Sequence, residues 1–128
     1  MDQAILVEDQ IQDGHRLIIE LAQQNFGVAA AAWLKTSEEG QWFLYIASHV
    51  VDTVGLAKAY KIVYLTIQNM PGLSVDPFDV KLIGPNNAIA RDILDFQQRY
   101  PATIPTRFRG TRLGAVPVDE AYLYPAVS

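Results

Sequence analysis

The sequence predicts an α+β domain, in which a single, mostly antiparallel sheet of about five strands carries three helices. Two pairs of short apolar segments, each joined by a turn, predict β-hairpins. Three other segments have apolar residues at every third or fourth position, which predicts helices. The resulting order is αββαβαββ, and hairpins separated by helices are typical of α+β domains. A length of 128 residues fits one domain covering residues 1–128.

The first two helices are delimited by capping and stop signals. The first is predicted over residues 3–25, and Asn25 ends it because asparagine tolerates the left-handed backbone found after helices. The second is predicted over residues 53–69. Asp52 is its expected N-cap, and Pro71 prevents its continuation.

A hairpin of residues 28–36 and 41–48 is predicted around the turn sequence SEEG. Both of its faces are apolar, whereas a hairpin with one wet face alternates apolar and polar residues. Each face must therefore be covered. A four-residue loop sets the pairs Lys35–Trp42, Trp33–Leu44 and Ala31–Ile46 on one face, and Leu34–Phe43 and Ala32–Tyr45 on the other.

The remaining elements follow from shorter patterns. A strand is expected over residues 79–83, and then a third helix that Asn86 or Asn87 caps. Residues 106–113 and 118–124 predict a second hairpin. An anion could bind at the start of the third helix, but the asparagine caps alone explain that turn.

Composition and charge exclude several classes of protein. The net charge of −4 argues against a nucleic-acid partner, which usually requires a basic surface. The chain has no cysteine, so disulfides and thiolate chemistry are absent. Its acidic start lacks the features of a signal peptide, and its longest apolar run, 26–34, is too short to span a bilayer. We expect a cytoplasmic protein with no membrane partner and no cofactor.

Two segments, AAWLKTSEEGQWFLYIASHVVD…GLAKAY and RFRG…VDEAYLYP, together resemble a family of small bacterial proteins of no known activity. The resemblance runs from about Gly14 to Pro125. It implies no substrate or partner, and it carries over no functional residue.

Ser48, His49 and Asp52 are the residue types of a hydrolase triad. Neighbours on a strand point to opposite faces, so an extended Ser48 turns its hydroxyl away from His49. No nucleophile-elbow motif surrounds the serine. We therefore expect a strand end and a helix cap. A metal site using His49, Asp52 and a distant carboxylate is scarcely better supported than the triad, and none is predicted.

The segment Asp79-Val80-Lys81 has the acid-x-lysine spacing of one nuclease class, in which carboxylates hold magnesium. Such a site needs a second acid from a neighbouring strand. The first hairpin has none inside its strands, and Asp52 and Glu39 are the nearest candidates. The nuclease interpretation is therefore only an analogy from a short motif.

The strongest candidate site is a basic cluster on the second hairpin. Arg107 and Arg109 project to one face of a regular strand, and Arg112 follows closely. Tyr122 and Tyr124 alternate in the same way on the last strand. Arginine with tyrosine suits an anionic small molecule or a stacked base. The competing interpretation is a wet surface whose arginines pair with two acids of the last strand, Asp119 and Glu120.

The doubly apolar first hairpin leads to the functional prediction. Helices that follow hairpins tend to gather on one face of a sheet, which leaves the other face for a second subunit. We therefore predict a non-enzymatic association module that forms a homodimer. The alternative is a small-molecule or nucleotide-binding enzyme that uses the arginine and tyrosine face, and a three-layer monomer is the competing architecture. The predicted dimer interface is Trp33, Trp42, Leu44 and Ile46.

Overall fold

The computed structural model describes residues 5–125, in which a five-stranded sheet carries helices on both faces. No helix within those residues has the length and apolar character needed to cross a bilayer. The elements in chain order are α1 Glu8–Gln23, β1 Val28–Thr36, β2 Trp42–Ser48, α2 Val50–Val54, α3 Leu56–Gln68, β3 Val80–Ile83, α4 Ala88–Arg99, β4 Thr106–Leu113 and β5 Val116–Leu123, with a 3₁₀ turn Pro77–Asp79 before β3.

The α+β class is confirmed, but the sheet is mixed rather than mostly antiparallel. The strand order is β3-β2-β1-β5-β4. The pairs β1–β2, β1–β5 and β4–β5 are antiparallel, whereas β2–β3 is parallel. The reason is that α2 and α3 form a crossover that returns the chain to the starting end of β2 before β3 begins.

The register predicted for the first hairpin is confirmed at every position. Its loop is closed by a hydrogen bond from Gly40 N to Thr36 O of 2.9 Å. Gly40 has a positive φ of 68°, which glycine adopts without a steric penalty. The paired residues are Lys35–Trp42, Leu34–Phe43, Trp33–Leu44, Ala32–Tyr45 and Ala31–Ile46.

The second predicted helix is divided, and Asp52 is not its N-cap. Gly55, with φ 90° and ψ 158°, separates α2 from α3. This backbone conformation is essentially restricted to glycine, so the helix cannot run through it. Asp52 lies inside α2, and its carboxylate faces the turn after β3: a Cβ added to Gly84 would lie 2.9 Å from Asp52 Oδ1. At the next helix, the predicted cap is confirmed, because Asn87 Oδ1 accepts from Ile89 N at 2.9 Å.

The core consists of two apolar clusters, one on each face of the sheet. On one face α1 and α3 pack over the large side chains of β1 and β2, and on the other face α4 packs over Leu34 and Phe43. Both faces of the hairpin are thus covered by helices of the same chain, in the three-layer arrangement. This corrects the predicted interface, because its four side chains lie under α1 and α3 and are at most 5% exposed: Trp33, Trp42, Leu44 and Ile46.

Candidate functional site

The three residues of the possible triad have separate structural roles. The buried Ser48 Oγ donates to Phe26 O at 2.6 Å and accepts from Val50 N at 3.1 Å. His49 packs against Gly27, where an added Cβ would lie 2.1 Å from His49 Cε1. The serine hydroxyl is therefore engaged by the backbone on both sides, as expected for the end of a strand.

The lysine of the acid-x-lysine motif is paired with the hairpin loop. Lys81 Nζ forms an ion pair with Glu39, whose carboxylate also accepts from Tyr45 Oη at 2.9 Å and Thr36 Oγ1 at 3.0 Å. The same ammonium group lies 4.4 Å from the centre of the Phe43 ring. Glu39, one of the two acids considered for the nuclease interpretation, thus pairs with the lysine of the motif and forms a structural bridge between β3 and the hairpin.

An open cleft of about 660 Å³ lies between the start of α1 and residues 70–79. Asp9, Asp76 and Asp79 line it together with apolar side chains. Burial and the neighbouring Asp76 charge raise the pKa of Asp79 above its ordinary value. Within residues 5–125, no group of three or more histidine, cysteine, aspartate or glutamate side chains is arranged to hold a metal ion.

The structure brings together part of the predicted arginine and tyrosine set. The Arg107 guanidinium carbon lies 5.1 Å from the centre of the Tyr122 ring, and the two residues pair across β4 and β5. Arg109 is highly exposed, and its Nε lies 3.9 Å from Glu120 Oε1. Glu120 also pairs with Lys35 at 3.3 Å, so one predicted acid partly neutralises this surface.

The other two members of the set lie elsewhere. Tyr124 is buried, accepts from Trp33 Nε1 and donates to Ile11 O, so its hydroxyl is not available to a ligand. Arg112 lies at the far end of β4, and its Nη1 donates to Ala115 O at 3.4 Å. Of the five predicted residues, Arg107 and Tyr122 are therefore the arginine and tyrosine that lie side by side as expected.

A groove that the sequence did not predict runs between α4 and the β4–β5 hairpin. It contains a cavity of about 100 Å³ and a second one of about 310 Å³, and both are lined by Phe96, Tyr100 and Leu123. The larger cavity has charged walls that include Arg99 and Arg112. We refer to the smaller one as the α4 cavity. The remaining lining residues of the α4 cavity are Gln97, Pro101, Ala102, Ile104, Thr106, Tyr124 and Pro125.

The sequence contained one signal of this groove. Tyr100 is the last member of the apolar stripe predicted for α4, and Ile104 follows it between Pro101 and Pro105. Tyr100 and Ile104 are 63% and 69% exposed. Exposed apolar residues around a concave surface are a common feature of binding sites.

The fold and these surfaces define an α+β domain with a mixed sheet, covered on both faces. In comparisons with known proteins, no family model, no curated protein and no solved structure matches the chain.

Proposed function

We propose that this protein is a non-catalytic association module that forms a homodimer through the outer surface of α1 and α3. These two helices lie in contact on one face of the sheet, and we call their outer surface the helical layer. The observation that carries the proposal is the opposite charge of the two helices within this one layer. The engagement of Ser48 and Lys81 in structural contacts supports a role other than catalysis.

The helical layer exposes apolar side chains. On α3, Leu56, Tyr64 and Leu65 are 50%, 47% and 46% exposed, and Ile19 on α1 is 41% exposed. Tyrosine is enriched in protein interfaces, and apolar side chains such as leucine contribute free energy of association when a partner removes them from water. A second subunit would bury them without changing the core beneath.

The charges of the layer are complementary between the two helices. Helix α3 contains Lys58 and Lys61 and no acidic residue, and within residues 5–125 neither lysine forms an ion pair. Helix α1 carries a negative net charge. Its charged residues are Glu8, Asp9, Asp13 and Glu20 against Arg16.

A two-fold axis between α1 and α3 matches these charges. In an isologous contact, α3 of the first subunit faces α1 of the second, and α1 of the first subunit faces α3 of the second. Lys58 and Lys61 would then lie near Glu20 of the second copy, whereas an α3-to-α3 contact would oppose lysines. Exposed ion pairs contribute little affinity but determine orientation, so the apolar residues supply the affinity.

A charge-swap experiment tests this dimer. Lys58→Glu/Lys61→Glu and Glu20→Lys should each shift the protein toward one-chain mass in light scattering coupled to size exclusion, at tens of micromolar and low salt. A mixture of the two variants should recover two-chain mass, because each interface then pairs opposite charges. Arg91→Glu, on the opposite face of the sheet, is the matched control and should remain dimeric. A wild-type mass of one chain, or a mixture that stays monomeric, would refute the proposal.

The contact of Arg107 with Tyr122 favours a second candidate function, which is binding of an anionic small molecule. Millimolar phosphate should then raise the melting temperature by mass action. Arg107→Gln/Arg109→Gln should abolish that rise. A melting temperature unchanged by phosphate or a nucleotide would remove this candidate and leave the dimer proposal unaffected.

A further inference from the structure

We propose that the α4 cavity is a binding site for a neutral, largely apolar small molecule of the phenol class, with a hydrogen-bond donor that meets Gln97. The inference rests on three features of the cavity. These are its shape, one buried acceptor atom without a partner, and the absence of charge on its walls.

The α4 cavity has an enclosed part and an apolar mouth. Its volume of about 100 Å³ approaches the roughly 150 Å³ at which an apolar cavity in a protein holds benzene. Tyr100 and Ile104 line it and are mostly exposed, so a ring that exceeds the enclosed volume would remain in contact with them. The second cavity shares Phe96, Tyr100 and Leu123, and it leaves room for a substituent.

Gln97 is one of the polar residues that line the cavity. Its Nε2 donates to Tyr124 O at 2.7 Å, which fixes the orientation of the amide because a reversed amide would place two oxygens together. Its Oε1 is buried and has no hydrogen-bond partner among the described residues. Buried acceptors without a partner are rare and destabilising, and they are commonly explained by a water or ligand.

The walls determine the charge of the ligand. None of the ten residues that line the α4 cavity is charged. Burying an ion there would be costly, whereas a neutral hydroxyl can donate to Gln97 Oε1. The ring of a phenol would pack against Phe96 and Leu123, and its hydroxyl would satisfy the amide oxygen.

A titration with matched probes tests the site. Phenol, and toluene as a probe of the same shape without a donor, are added to the ¹⁵N-labelled full chain over the same range, up to the water solubility of toluene. We expect chemical-shift changes at residues 96–106 and at the Gln97 side-chain amide. Phenol should bind about three- to tenfold more tightly than toluene, which is the usual effect of one net hydrogen bond.

Two variants test whether the amide of Gln97 is the cause of the preference for phenol over toluene. Gln97→Met keeps the length of the side chain but removes both the acceptor and the donor to Tyr124 O, so the preference for phenol over toluene should fall. Gln98→Met, on the exposed neighbouring residue, should preserve the preference. Equal binding of the two probes by the wild type would overturn the proposal, and that comparison does not depend on a variant folding. Chemical-shift changes at residues outside the cavity would also overturn it. An absence of phenol binding would overturn it as well, because Gln97 Oε1 would then meet only water.

Discussion

Trp33 Nε1 donates a hydrogen bond of 2.9 Å to the hydroxyl of Tyr124, 91 positions later in the chain. The same hydroxyl donates to Ile11 O at 2.6 Å, so it joins β1, α1 and the residue after β5. Gly14 permits this arrangement, since a Cβ there would lie 2.5 Å from the hydroxyl oxygen. A buried group that serves three elements of structure should have a measurable effect on stability.

Tyr124→Phe should lower the free energy of unfolding by about 1–3 kcal/mol. The variant retains the ring but leaves the Trp33 N–H without its partner in the core and removes the second bond to the Ile11 carbonyl, which lies inside α1. Urea denaturation measures the change. Tyr64→Phe is the control, because this side chain is about half exposed and its hydroxyl accepts from Gln68 Nε2 on the surface of the same helix. It should change stability by less than about 0.5 kcal/mol. Equal losses in the two variants would contradict the structural role of Tyr124.

The same hydroxyl predicts a loss of stability at alkaline pH. Burial raises the pKa of Tyr124 above its ordinary value of 10.0, and the hydrogen bond from Trp33 opposes this only in part. Above about pH 10 the unfolded chain therefore releases a proton that the native protein keeps. The free energy of unfolding should fall as pH rises, by up to about 1.4 kcal/mol per pH unit for this group.

The comparison of wild type with Tyr124→Phe between about pH 9 and 11 isolates this contribution. Tyr45, whose pKa burial also raises, is present in both proteins and distant from the substitution, so its effect cancels. The decline should be shallower in the variant. Parallel curves would show that the Tyr124 hydroxyl does not keep its proton in the native state.

Glu39→Ala should lower the free energy of unfolding by about 1–2 kcal/mol. The carboxylate joins Thr36, Tyr45 and Lys81 and is about one-fifth exposed, so water screens the ion pair only partly. Glu38→Ala, at the adjacent exposed position of the same loop, should change stability by less than about 0.5 kcal/mol. If both variants lose the same amount in urea denaturation, the Glu39 bridge contributes nothing.

Gly27→Ala should destabilise the protein more than Gly72→Ala, by at least about 0.5 kcal/mol. Both glycines have φ between 70° and 80°, where an alanine costs about 1–2 kcal/mol. Gly72 has open space around it, whereas a Cβ at Gly27 would meet the His49 ring. His49→Ala should remove the difference in a double-mutant cycle. Additive effects would show that His49 does not pack at Gly27 in solution.

Local patterns predicted the first hairpin and the cap of α4 because each depends on nearby residues. The register followed from loop length, and Asn87 caps the helix that begins directly after it. The direction of β3 was not predictable in this way. A helix between two strands allows either direction, and the choice is made by packing against residues distant in the sequence.

The candidate sites show the same difference between features set by nearby residues and features set by distant ones. The contact of Arg107 with Tyr122 was predicted because both lie on strands whose alternation is visible in the sequence. The burial of Tyr124 was missed, since strand alternation places it on the same face but does not reveal that α1 covers it. The α4 cavity depends on how the segment after α4 lies against β5, and no periodic pattern reports that.

Strand β1 is central in the sheet, and its two neighbours are synthesised at very different times. β2 follows within a few residues, whereas β5 is the last described strand. During synthesis on the ribosome, the apolar β1 edge of the β1–β2 hairpin therefore remains unpaired until residues 116–123 have emerged. Such an edge is a template for pairing with other chains. Substitutions that slow the docking of β5 should consequently reduce the yield of folded protein through aggregation more than they reduce the stability of the finished fold.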